Sequence, residues 1–160
     1  MFKRSISLFA LIVVATVTAS CTPVSEPAAE TAAKTPAFRP ALDAHLATIA
    51  ARDLEGFDKT LTSGDDLNVI FPNGALAPDT QAVREFHAEW FSDKDWVMEP
   101  EVIKVIEGKD MATALLKYSY RDNAKSEPRM NWLVLVFKLE DGAWKLVHDQ
   151  NTKIEDAIVG

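Results

Sequence analysis

The 160-residue chain has one cysteine, Cys21, which excludes an intramolecular disulfide. It has three histidines, His45, His87 and His148, and none stands in HxH or HExxH spacing, so the common zinc signatures are missing. Cations are outnumbered: 17 Lys plus Arg against 24 Asp plus Glu leave a formal charge of -7, which repels nucleic-acid phosphates. There is no Gly-rich phosphate loop, no GxSxG nucleophile elbow and no second thiol for redox exchange. After Val17 no apolar run approaches the ~20 residues of a membrane-spanning helix. The reading therefore expects no metal, no cofactor and no nucleic-acid partner.

What is present is ordinary for a folded domain. Hydrophobic residues make up 48% and charged residues 26%, enough apolar side chain for a core, and the length suits one domain. The N-terminus differs from the rest. Lys3 and Arg4 precede an apolar run from Ile6 to Val17, and the small residues Thr18, Ala19 and Ser20 precede Cys21. That order predicts a secretory signal over residues 1–20. The sequence TASC resembles the bacterial lipobox, which implies cleavage after Ser20 and lipidation of Cys21. Acyl chains add ~0.8 kcal/mol per buried methylene, so two or three would anchor a domain durably. The expected address is the cell envelope, membrane-anchored and facing the periplasm. By resemblance to enterobacterial sorting, Thr22 where an Asp would retain the protein at the inner membrane favours the outer one. Loss of Lys3 and Arg4 would take the charge from -7 to -9. With Cys21, residues 22–37, rich in Pro, Ala, Thr and Glu, read as a disordered tether, because they bury too little surface to offset ordering entropy.

Residues 38–160 read as one α+β domain. Leu42, Leu46 and Ile49 recur at helical spacing over 41–51, and Asp53 caps a short second helix with Leu54, Phe57 and Leu61 inward. Residues 67–71 read as a strand closed by Pro72-Asn73-Gly74. A third helix over 80–91 carries the stripe Val83, Phe86, His87, Trp90 and Phe91. Segments 97–106, 111–121, 129–139 and 143–152 then form an antiparallel meander, with turns at 107–110 and 140–142. Alternation places Ala112, Ala114, Leu116, Tyr118 and Tyr120 on the face toward the helices. Residues 130–139 are apolar on both faces through their centre, so one face needs a partner that a lone sheet and three helices do not supply. The expectation is a homodimer through the sheet.

This order of elements, with ARDLEGFDKTLTSGDDLNVIFPNG and the terminal GAWKLVHDQNT, resembles the SnoaL-like branch of the nuclear transport factor two-like superfamily. The resemblance implies a cone, a strongly curved antiparallel sheet wrapped around three N-terminal helices, with a ligand pocket at its open end. It also implies that isomerase or dehydratase chemistry by carboxylate, His and Tyr is available to the fold. Where such proteins often carry a second His two positions after the first, this chain has Gln150 after His148, and Gln cannot titrate.

Simple alternation puts His148 on one strand face with Trp144, Leu146, Gln150 and Thr152, predicted to point into the cone, and Asp149 on the opposite face. His148 and Tyr118 are the candidate catalytic residues, since an imidazole moves protons near neutral pH and a phenol can stabilise an oxyanion. Tyr118, Tyr120, Trp132, His148, Gln150, His87 and Trp90 are the candidate ligand-binding residues. Two functions follow. One is a lipid-anchored domain that binds a small apolar molecule or a protein partner in its cone. The other is an enzyme that isomerises or dehydrates by proton transfer.

Overall fold

The computed structural model describes residues 35–155; the leader, Cys21 and most of the tether lie outside the described residues, as does the C-terminus after 155. Helix α1 spans Phe38–Ala51 and α2 spans Leu54–Thr60. Strand β1 (Asn68–Ile70) and the two-residue β2 (Leu76–Ala77) precede α3 (Thr80–Ser92). Four long strands follow: β3 (Val97–Glu107), β4 (Met111–Arg121), β5 (Arg129–Glu140) and β6 (Ala143–Lys153). Among these residues no helix is long and apolar enough to cross a membrane.

Helix α1 begins earlier than its apolar spacing predicts. Pro40 falls within its first turn, where a missing N–H leaves no hydrogen bond broken. The Phe38 N–H instead donates to Glu107 Oε1 at 3.2 Å, and the Trp144 indole N–H donates to the Pro36 carbonyl at 2.8 Å. Between these bonds Phe38 is fully buried, edge-on to Phe137 and Trp144. Burying one such ring contributes roughly 2 to 3 kcal/mol, which ties the start of α1 to the sheet.

The bend between α1 and α2 is held from both sides. Asp53 caps α2 as expected, accepting from the Gly56 N–H at 3.0 Å. Arg52 takes a left-handed conformation (φ 55°), unusual for a residue with a Cβ. Its side chain accounts for the tolerance. The guanidinium lies 3.8 Å from the Trp96 ring centroid and donates to the carbonyls of Asp93, Lys94 and Trp96, tying the bend to the α3–β3 connection.

The six strands form one sheet in the order β2-β1-β6-β5-β4-β3. The four long strands are the antiparallel meander that alternation predicts. The sheet as a whole is mixed, because β1 joins β6 in parallel. Leu116, Tyr118, Leu133, Leu135 and Phe137 face the helices and are buried. The sheet is curved and does not close. Two irregularities bend it: β3 carries an extra residue at Ile103, and β6 carries one at Val147, where Val136 pairs with His148 but Phe137 pairs with Leu146. The second of these decides the site.

Candidate functional site

Beyond Val147 the alternation of β6 is reversed. Leu135, Leu133 and Asn131 point inward and pair with Asp149, Asn151 and Lys153, and cross-strand partners share a face. Strand β1 agrees, since buried Val69 is the partner of Asp149 and Asn68 the partner of His148. His148, Gln150 and Thr152 therefore lie on the outer face of the sheet. There the His148 Nδ1 is 2.7 Å from Asn68 Oδ1. The expectation that His148 and Gln150 enter the cone is corrected: one inserted residue turns Asp149 and Asn151 inward in their place. Trp132 is corrected in the same way. It pairs with outward Thr152, is 37% exposed, and sits under the Lys117 ammonium rather than in the cone.

The four other candidates, Tyr118, Tyr120, His87 and Trp90, do converge on a cavity of about 530 Å3. Apolar wall is supplied by Ile49, Val69, Phe71, Phe86, Met98 and Leu133, and polar groups by Asp149, Asn151, Asn131, Arg129 and Lys153. The strand register sets their depth. Asp149 is innermost, beside Leu135; Asn151 is next, beside Leu133; Tyr118, Asn131 and Lys153 share the next rank; Tyr120 and Arg129 are outermost.

Three of the inner groups form one hydrogen-bonded chain. Asn151 Nδ2 donates to Asp149 Oδ1 at 2.8 Å and to the Ile70 carbonyl at 3.1 Å. The Ile70 carbonyl only accepts, so the amide orientation is fixed and Asn151 Oδ1 must accept from the Tyr118 hydroxyl at 2.8 Å. Asp149 has no salt-bridge partner among the described residues. Burial raises its carboxyl to about 7, opposed by the single bond from Asn151. Asp149 lines the cavity. Burial, reinforced by the nearby Asp149, also holds the Tyr118 phenol well above its ordinary range.

His87 completes the opposite wall from α3. Its Nδ1 lies 2.7 Å from the Val83 carbonyl, an acceptor, so Nδ1 carries the proton and Nε2 keeps a bare lone pair. Burial lowers this imidazole to about 4 against the bond to Val83, and the ring stacks on Phe57 at 4.1 Å. At the mouth, Arg129 is held by two 2.7 Å bonds to Asp122 and lies 5.3 Å from the Tyr120 ring. Trp90 donates its indole N–H to the Tyr120 hydroxyl at 3.1 Å, which leaves that hydroxyl free to donate in turn.

Strict alternation from Trp144 and Leu146 leads to His148 and hides Asp149. The adjacent apolar pair Leu146-Val147 was the one local sign that the strand changes face. Asn131 and Arg129 lie at the polar start of β5, whose centre is apolar on both faces, and period-2 counting does not single them out.

Residues 39–151 match the SnoaL-like domain. No curated protein is similar enough to match. The chain is similar in structure to a candidate calcium/calmodulin-dependent protein kinase type II association domain from Thiobacillus denitrificans. That likeness has a TM-score of 0.66 at 19% identity, over 75% of this chain and 97% of that one. It is also similar to an NTF2-like protein of unknown function from Pseudomonas putida, with a TM-score of 0.64 at 15% identity, over 76% and 87% of the two chains. A ketosteroid isomerase-like protein from Erwinia carotovora atroseptica gives 0.61 at 18% identity, over 74% and 95%. At such identities the shared property is the fold, and the neighbours' differing names carry no activity to this chain. The match over 39–151, together with three helices on a curved, open sheet around one cavity, places the chain in the SnoaL-like domain family.

Proposed function

We propose that this protein is a lipid-anchored domain of the cell envelope that binds a small, largely apolar molecule in its cone. The observation that carries this reading is the cavity of about 530 Å3, with aromatic and aliphatic walls and a few convergent polar groups, the usual make-up of a small-molecule site. The membrane attachment is inferred from Cys21 and its leader. A homodimer through the outer face of the sheet is proposed as well, on Ile103, Ile106, Met111 and Trp132, apolar side chains left 37% to 60% exposed.

Isomerisation or dehydration by proton transfer is the second reading, with Asp149 rather than His148 as the base. It is favoured by one observation, an unpaired carboxyl at about 7 inside an apolar cavity. The hydrogen-bond chain speaks against it. An enolate or alkoxide forming near Asp149 needs a donor, and the Tyr118 proton is committed to Asn151. Binding is the better supported function.

The test is mass spectrometry of small molecules extracted from the full chain purified under mild conditions. A stoichiometric organic compound absent from a Met98→Trp variant, which fills the cavity mouth, is expected. Identical extracts from both proteins would contradict the reading.

A further inference from the structure

The hydrogen-bonding polarity of the cavity limits which head group it accepts. Asp149, Asn151, Tyr118 and His87 present no free proton to the cavity once Asp149 is ionised. Tyr118 donates to Asn151, so its oxygen offers lone pairs. His87 donates from Nδ1 to Val83, so Nε2 offers a lone pair. Both amide hydrogens of Asn151 go to Asp149 and Ile70. Asn131, two ranks further out than Asp149, gives one amide hydrogen to the Arg129 carbonyl at 3.3 Å and keeps the other. Asp149 keeps one oxygen uncommitted and has no salt-bridge partner among the described residues. A carbonyl or carboxylate placed against Asp149, the Tyr118 oxygen and His87 Nε2 would oppose acceptor to acceptor and leave buried groups unpaired.

Charge points the same way. The cations lining the cavity stand further out than Asp149, Lys153 in the rank of Asn131 and Arg129 one rank beyond, and each has a carboxylate beside it, Arg129 that of Asp122 and Lys153 that of Glu155 at 3.9 Å. The Phe86 and Trp90 rings, 5.9 Å apart and inclined by 28°, add aromatic surface that attracts an organic cation. We infer that the natural ligand carries a hydrogen-bond-donating cationic head, a protonated organic amine on an apolar body, with the ammonium between Asp149, the Tyr118 oxygen and His87 Nε2. This rests on the cavity-binding reading above and specifies its ligand class.

Calorimetric titration of the full chain at pH 8 with 4-phenylbutylamine, 4-phenylbutanol and 4-phenylbutanoate tests it, because the three probes share one apolar body. The amine is expected to bind at least tenfold more tightly than the alcohol, and the carboxylate most weakly. In Asp149→Asn, amine and alcohol should come within threefold of each other. An acid that matches or exceeds the amine in the native protein would overturn the inference, and that ranking needs no variant to fold. An amine advantage that persists in a folded Asp149→Asn protein would overturn it as well. If the alcohol binds and the amine gains nothing, the ligand class is wrong while the cavity reading survives. If none of the three binds, both fall.

Discussion

Asp149, with its buried carboxyl, makes the stability of the fold depend on pH. Its folded-state carboxyl, near 7, lies above the ordinary 3.8, so folding is unpenalised below about pH 4 and loses stability as pH rises through 7. The groups facing the same cavity are His87, Tyr118 and Tyr120, with Arg129 and Lys153 at its mouth. His87 and His45 act oppositely. Burial lowers them to about 4 and about 3, so their contribution is complete above about pH 6.5 and declines as pH falls toward those values. Asp149→Asn should therefore match the native protein near pH 4. It should become more stable by about 2 to 4 kcal/mol at pH 8.5, about 1.4 kcal/mol for each unit of raised pKa. Denaturant titrations at the two pH values measure this, and a difference independent of pH would mean that the carboxyl is solvated. His45 has no such functional reading: its Nδ1 donates to Thr60 at 2.8 Å and its Nε2 is buried without a partner, a cost borne in the core.

At the scale of elements, the helices and long strands were legible because apolar spacing and turn residues agreed. Val83, His87 and Phe91 are buried on one side of α3, and the inward faces of β4 and β5 follow strict alternation. Two features escaped that reading. Strand β2 has two residues and no pattern of its own. The irregularity at Val147 is a register event between two strands, set by how β6 reaches both β5 and β1, and period-2 counting within one strand cannot see it. Tyr118 and Tyr120 were found because no such event interrupts β4 on its inward side. Helix α2 offers a check in which two effects compete. Replacing Gly56 by Ala ordinarily favours a helix by about 1 kcal/mol. Here the added Cβ would stand 2.3 Å from the Asp53 carboxylate that caps the helix. Loss of that cap costs about 1 kcal/mol, and displacing the carboxylate adds strain. Gly56→Ala should lower the urea midpoint; a stabilised variant would show that the cap is dispensable.

For the whole molecule, the inward face of the sheet forms the core and cavity wall, and the outward face is left with an apolar surface. Trp132 lies on that outer face, so Trp132→Glu should convert a dimer to a monomer in sedimentation at micromolar concentration and leave the fold intact. A native protein that sediments as a monomer would refute the proposed assembly. Cys21→Ser should abolish incorporation of labelled palmitate, and a native chain that takes up no label would refute the anchor. The central claim is that a ligand sits inside the cone, against Asp149 and not against His148. Fluorescence enhancement of the neutral apolar probe N-phenyl-1-naphthylamine tests it most directly across three proteins: the native chain, Met98→Trp and His148→Ala. A saturable signal is expected in the native chain, with its loss in Met98→Trp and an affinity within twofold of native in His148→Ala. A signal that survives Met98→Trp, or disappears in His148→Ala, would contradict it.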